Sequence, residues 1–123
     1  MDAEELIQRY KQGERNFSGV NLSKAKLIGA YLPGINLWGA DLTGANLAKA
    51  KLWGANLSSA NLASSNLTRA NISGANLQQA NLRGARLYYI KCYGANFIDS
   101  IYDSSTKFSR GFVPSKYNMQ LFE

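Results

Sequence analysis

Apolar residues recur along this chain at a step of five. The series runs Phe17, Leu22, Leu27, Leu32, Leu37, Leu42, Leu47, Leu52, Leu57, Leu62, Leu67, Ile72, Leu77, Leu82, Leu87, Cys92 and Phe97, and only Cys92 is not Leu, Ile or Phe. Two residues before each stands a small or apolar residue, usually Ala, with Arg15 the exception. Gly often follows two residues after. On an α-helix, five residues advance about 140° net, so the leucines would spiral around every side. On a strand an odd step sends successive leucines to opposite faces. Neither element buries the series.

The Ala-x-Leu spacing fits a short extended segment with both side chains on one side. The remaining residues of each five must then turn the chain, and Gly and Asn tolerate the positive φ that such corners need. A chain that turns the same way after each segment becomes a coil with every Ala and Leu inside. This pattern predicts an all-β solenoid.

The unit A(N/D)LxG, as in Ala40-Asp41-Leu42-Thr43-Gly44 and Ala55-Asn56-Leu57, resembles the pentapeptide repeat family over residues 15–104. The resemblance implies a right-handed quadrilateral β-helix with four pentapeptides, about 20 residues, to each coil. On that plan the chain holds about four coils. In general style it is similar to small cyanobacterial members, many of which have no assigned activity.

A solenoid exposes core and sheet edges at its ends and needs caps. Residues 1–14 read as a helical N-terminal cap. Asp2 is a good N-cap, Glu5 completes a capping-box spacing, and Gly13 suits the stop. Leu6, Ile7 and Tyr10 form one apolar stripe for the first coil. Residues 105–123 are a C-terminal cap or tail. Its Phe108, Phe112, Tyr117, Met119, Leu121 and Phe122 suit either a lid on the last coil or a dimer contact, so the chain is expected as a monomer or a homodimer through that end. Arg110 to Pro114 reads as a turn, with a short helix starting at Ser115.

The chain has 123 residues and is 46% hydrophobic, enough for the core of one domain. There is no histidine, and Cys92 is the lone cysteine, expected as a small interior hydrophobe. No phosphate-cradling loop or dinucleotide fingerprint occurs. These observations predict no catalysis, no metal site and no cofactor. The first residues show neither a signal peptide nor a transit pattern and no long apolar run occurs, so a cytoplasmic location and no membrane partner are expected. The interior register predicts that Leu57→Lys unfolds the coil, while outward Asn56→Lys is nearly silent.

Charge placement is more informative than the formal net charge of +6. Folded at about 20 residues per coil, Lys24, Lys26, Lys49, Lys51, Arg69, Arg83, Arg86 and Lys91 gather on one side. Tyr88, Tyr89 and Tyr93 lie toward that side, and Asp41 is the only acid between residues 17 and 97. The expected function is a non-catalytic interaction module presenting a rigid rod to a protein partner. The alternative is binding of nucleic acid or another polyanion through the basic stripe. A third reading, taken from family members that mimic DNA and bind type II topoisomerases, implies an acidic rod, and this rod is basic.

Overall fold

The computed structural model describes residues 1–123. Helix α1 spans Ala3–Lys11. The Asp2 side chain accepts the Glu5 amide at 2.8 Å, satisfying one of the orphan donors of the first turn. Only half of the expected capping box forms, because the Glu5 carboxylate points along the helix to Arg9 at 3.7 Å. Leu6 and Tyr10 are buried against the first coil, and Ile7 is half-buried. Tyr10 also donates its hydroxyl hydrogen bond to the Pro33 carbonyl at 2.6 Å, which fixes the helix on the rod.

From residue 16 the chain stacks on itself. Asn16 pairs with Asn36, Asn21 with Asp41, Lys26 with Asn46 and Tyr31 with Lys51, all parallel, and this pattern continues up the rod. Each partner lies 20 residues on, and four such columns fill one turn, so each coil has four sides. Wall 1 carries Phe17, Leu37, Leu57, Leu77 and Phe97. Wall 2 carries Leu22, Leu42, Leu62 and Leu82. Wall 3 carries Leu27, Leu47, Leu67 and Leu87, and wall 4 Leu32, Leu52, Ile72 and Cys92. Every one of these except Cys92 is buried, as are the inward alanines two residues before them from Ala40 to Ala85. Each buried Leu contributes on the order of 1.5–3 kcal/mol.

The hydrogen bonds explain all five positions of the repeat. In the unit Asn36 to Ala40, the Asn36 amide donates back to Arg15, and those of Leu37 and Gly39 donate forward to Asn56 and Ser58. Ala40 donates to the Leu37 carbonyl and closes a turn. The fifth amide, on Trp38, donates to the Asn36 side chain at 3.0 Å. All five donors are thus satisfied, as a close-stacked backbone requires. The positive φ falls two residues after the interior Leu, at Gly39 (64°) and its equivalents in every repeat. That is the pattern of a type II turn. It corrects one expectation. The motif's Asn does not sit at the positive-φ corner. It is there because its short side chain accepts an amide two residues on.

Beyond residue 104 the sequence repeat stops, yet the ladder continues. Strand β1 (Arg86–Leu87) pairs with β3 (Lys107–Phe108) at a step of 21, and β2 (Ile101–Tyr102) with β4 (Gln120–Leu121) at a step of 19. Between β3 and β4 a turn of 3-10 helix, Pro114–Tyr117, starts one residue earlier than expected. The tail therefore adds most of a further coil and also closes the end. Phe108 stacks on Phe112 at 4.9 Å and Phe112 on Tyr117 at 4.6 Å, with Phe97 edge-on beneath. Met119 is buried with them, while Leu121 and Phe122 remain exposed. Cys92 is only partly covered, beside Tyr117. Burial pushes its thiol above the ordinary range, against a hydrogen bond with Tyr117 that draws it down.

Candidate interaction surface

The four-sided coil sorts the outward residues by side. In each repeat the residue before the interior Leu stands outside on the ladder. On walls 1 and 2 this residue is Asn or Asp at every level: Asn16, Asn36, Asn56, Asn76 and Asn96, then Asn21, Asp41, Asn61 and Asn81. Each accepts the amide two residues on. Walls 3 and 4 differ. Lys26, Arg86, Lys51, Lys91 and Tyr31 replace the Asn there, while Asn46, Asn66 and Asn71 keep it. After each of the four cations, the amides of Ile28, Tyr88, Trp53 and Tyr93 have no protein acceptor. After Tyr31 stands Pro33, which has no amide to satisfy.

A second exchange occurs at the corners. Lys24, Lys49 and Arg69 occupy positive-φ positions, at 61°, 61° and 63°, where nine equivalent sites carry Gly. A non-Gly residue there costs about 1–2 kcal/mol. Seven of the eight stripe cations thus stand where the fold's own preference is for Asn or Gly. Arg83 is the eighth, half-exposed with its guanidinium 5.1 Å above the Phe122 ring.

The eight cations lie on walls 3 and 4 or at the wall 2 edge beside them, and the ladder brings several of them into line. Lys26, Asn46, Asn66 and Arg86 follow one another in a single column. Strand β3 extends that column with Lys107, which sequence reasoning missed because the step there is 21 instead of 20. Both of the chain's ion pairs belong to Arg9, with Glu5 and Glu14, so no stripe cation has a carboxylate partner. Arg69 lies 4.9 Å above the exposed ring of Tyr89, and Tyr93 is almost fully exposed. Asp41 stands on wall 2, where the Thr43 hydroxyl, and then its amide, hold its carboxyl below the ordinary carboxylate range. Asp103 serves a turn, accepting from Ser105 and Gly84. No group of three or more acids or cysteines is placed to hold a metal, and no helix is long and apolar enough to cross a membrane.

A groove of about 560 Å³ runs between α1 and the first coil. Ile7, Tyr10, Ile28 and Tyr31 give it an apolar floor, and Lys11 and Arg15 line it as well. The sequence pattern marked it without explaining it. Arg15 is the one residue that is neither small nor apolar two before the interior series, and Tyr31 breaks the Asn position. Arg15 lies 3.7 Å from the centre of the Tyr10 ring and donates to the Tyr10 and Glu14 carbonyls at 2.9 Å.

A family model described as pentapeptide repeats matches the chain in eight copies, over residues 16–39, 34–62, 40–79 and 65–101. The chain is similar to the crystal structure of a pentapeptide repeat protein from Nostoc PCC 7120, at 33% identity over 98% of this chain and 96% of that one, with a TM-score of 0.53. It is also similar to a pentapeptide repeat protein of the Arabidopsis thaliana thylakoid lumen, at 32% identity over 73% of this chain and 66% of that one, with a TM-score of 0.58. No curated protein matches the sequence.

Proposed function

Because the chain belongs to the pentapeptide repeat family, we propose that it is a non-catalytic interaction module, a right-handed quadrilateral rod whose basic side, walls 3 and 4, engages the acidic surface of a partner protein. The observation that carries this reading is the exchange of seven fold-preferred Asn or Gly residues for Lys or Arg on one side only. A charge that serves solubility alone can stand anywhere on the surface. These cations stand where they cost hydrogen bonds or backbone strain, a pattern associated with function. The lone Cys92 supports a cytoplasmic setting within this proposal. A DNA-mimic role is disfavoured, since it calls for a surface of the opposite sign.

Binding of nucleic acid through the same stripe is a second reading. It is favoured by the Arg69–Tyr89 stack and the exposed Tyr93, since cations interleaved with aromatic faces suit unpaired bases. Steep loss of affinity between low and moderate salt, measured on a single-stranded oligonucleotide, would support it.

The main test compares two variants of equal net charge on immobilised heparin, a polyanion probe. One carries Lys26→Asn, Lys51→Asn, Arg86→Asn and Lys91→Asn. The other carries Arg9→Gln, Lys11→Gln, Arg110→Gln and Lys116→Gln. The stripe variant should elute at clearly lower salt than its control. Equal elution of the two would reduce the stripe to net charge and retire the proposal.

A further inference from the structure

The groove between α1 and the first coil is a better-built recognition site than the rest of the basic side. We propose that it seats a short segment of a partner protein in which an apolar, preferably aromatic, side chain stands next to a carboxylate. This rests on the reading of the rod as an interaction module, and it adds where the partner is anchored and what that anchor contains.

The shape comes from two elements that are locked together. The Tyr10 hydroxyl bond to Pro33 fixes α1 against the coil, so the gap between them is held open. Tyr10 and Tyr31 line the groove edge-to-face at 6.5 Å, and Trp53 backs Tyr31 from outside it at 5.6 Å. Ile28 and Tyr31 are 61% and 60% exposed. Apolar surface so placed in a concave site, with a few convergent polar groups, is the general form of a recognition pocket. Aromatic anchors in such a pocket carry most of the affinity of many interfaces.

The charge selects the occupant. Lys11 and Arg15 line the groove, no acid does, and neither cation has a carboxylate partner. Arg9, by contrast, is fully engaged by Glu5 and Glu14. Arg15 is held in place by the Tyr10 ring and two backbone carbonyls, so little of its freedom remains to be lost on binding a carboxylate. Tyr31 pairs on the ladder with Lys51, so the groove opens directly onto the basic side. The other hollow at this end, lined by Lys24 and Lys26, also holds Asp2 and Glu4 and has no such bias. An acid-and-apolar segment is therefore complementary to this groove in both respects.

The test uses isotope-labelled protein and two probe peptides, one of alternating Asp and Phe and one of alternating Asp and Ser. Titration with the first should shift the amide signals of Ile7, Ile28, Ala30 and Tyr31. The second should bind at least ten-fold more weakly. Tyr31→Asn, which restores the repeat's own residue and so leaves the coil intact, should weaken the Asp-Phe peptide at least ten-fold, as should Arg15→Ala. Equal affinity for the two peptides would overturn the groove. So would unchanged binding by Tyr31→Asn, or shifts confined to residues around Lys26, Arg86 and Lys91. The same shifts on raising protein concentration without peptide would put a second copy in the groove and also overturn the proposal. Failure of the interaction reading shows instead as equal elution of the two fourfold variants from heparin, so the two failures are distinguishable.

Discussion

Walls 1 and 2 and walls 3 and 4 enclose the same interior but carry different exteriors. Leu57 on wall 1 and Leu67 on wall 3 are equally buried, beside Ala55 and Ser65. Outside, wall 1 keeps Asn at all five levels and wall 4 keeps it only at Asn71. A solenoid allows this because its core is set by the inward residues alone, while each outward position affects only its own turn and its neighbours above and below. At the ladder position one side keeps Asn or Asp throughout, and the other departs from it, with Lys or Arg in every case but Tyr31. Corner glycines are replaced on both sides, but by Lys or Arg only at Lys24, Lys49 and Arg69.

The largest effect should show that the difference is confined to the exterior. Leu57→Lys and Leu67→Lys each place a charge in a dry interior, which costs several kcal/mol and should unfold the rod. Circular dichroism of the two variants should show the same loss. If one side tolerated the change, the claim of a common core would fail.

Restoring the motif on the basic side should raise stability. Lys26→Asn, Lys51→Asn, Arg86→Asn and Lys91→Asn each supply an acceptor for an amide that now lacks one, and each hydrogen bond is worth about 0.5–1.5 kcal/mol. The combined variant should melt at a higher temperature while losing affinity for polyanions. A lower melting temperature would mean that the cations stabilise the coil and are not held against its preference.

Two interior serines sharpen the comparison further. Ser65, on the approach to wall 3, is buried with its hydroxyl unpaired, whereas Ser100 in the equivalent position after wall 1 donates to the Phe97 carbonyl at 2.8 Å. Ser65→Ala should therefore stabilise by about 1 kcal/mol, and Ser100→Ala should not. Urea unfolding of both variants measures the difference.

On the neutral side, Asn56→Lys was expected from the register alone to be nearly silent. The hydrogen bonds revise that. The Asn56 side chain accepts both the Ser58 amide at 3.0 Å and its hydroxyl at 2.6 Å. Losing them should cost about 1 kcal/mol, readable as a lower urea midpoint. An unchanged midpoint would remove the energetic reason for distinguishing the sides.

The step of five was enough to read the coil and its interior, because inward residues are chosen by burial and burial leaves a strict period; the side on which the cations gather needed the four-sided coil that the family resemblance implied. The Asn position was legible as a pattern but not as a cause, since a side-chain bond to an amide two residues on has no signature apart from the residue itself. The tail was read as a lid or an interface, and its pairing was missed. A step of 21 at Lys107 and 19 at Gln120 removes the period while leaving the backbone ladder intact. The groove was visible only as two exceptions, Arg15 and Tyr31, which lie 16 positions apart and meet through the stacking of α1 on the coil.

The smallest effect concerns Asp41, the one charge in the ladder of the neutral side. Its carboxyl is held below the ordinary carboxylate range by the Thr43 hydroxyl and amide. A folded-state pKa below the unfolded one means that the ionised group stabilises the fold. That contribution is complete above the unfolded value, near pH 4, and is lost as pH falls through the lower folded value. Asp41 is partly exposed, so solvent screening keeps the contribution small. Asp41→Asn keeps an acceptor for the Thr43 amide but has nothing to titrate. Wild type should therefore melt slightly above Asp41→Asn at pH 6, and the gap should close below pH 4 as Asp41 protonates. Parallel curves down to pH 2 would show that the turn draws nothing from the charge, and that Asp41 is only another acceptor in the motif's position.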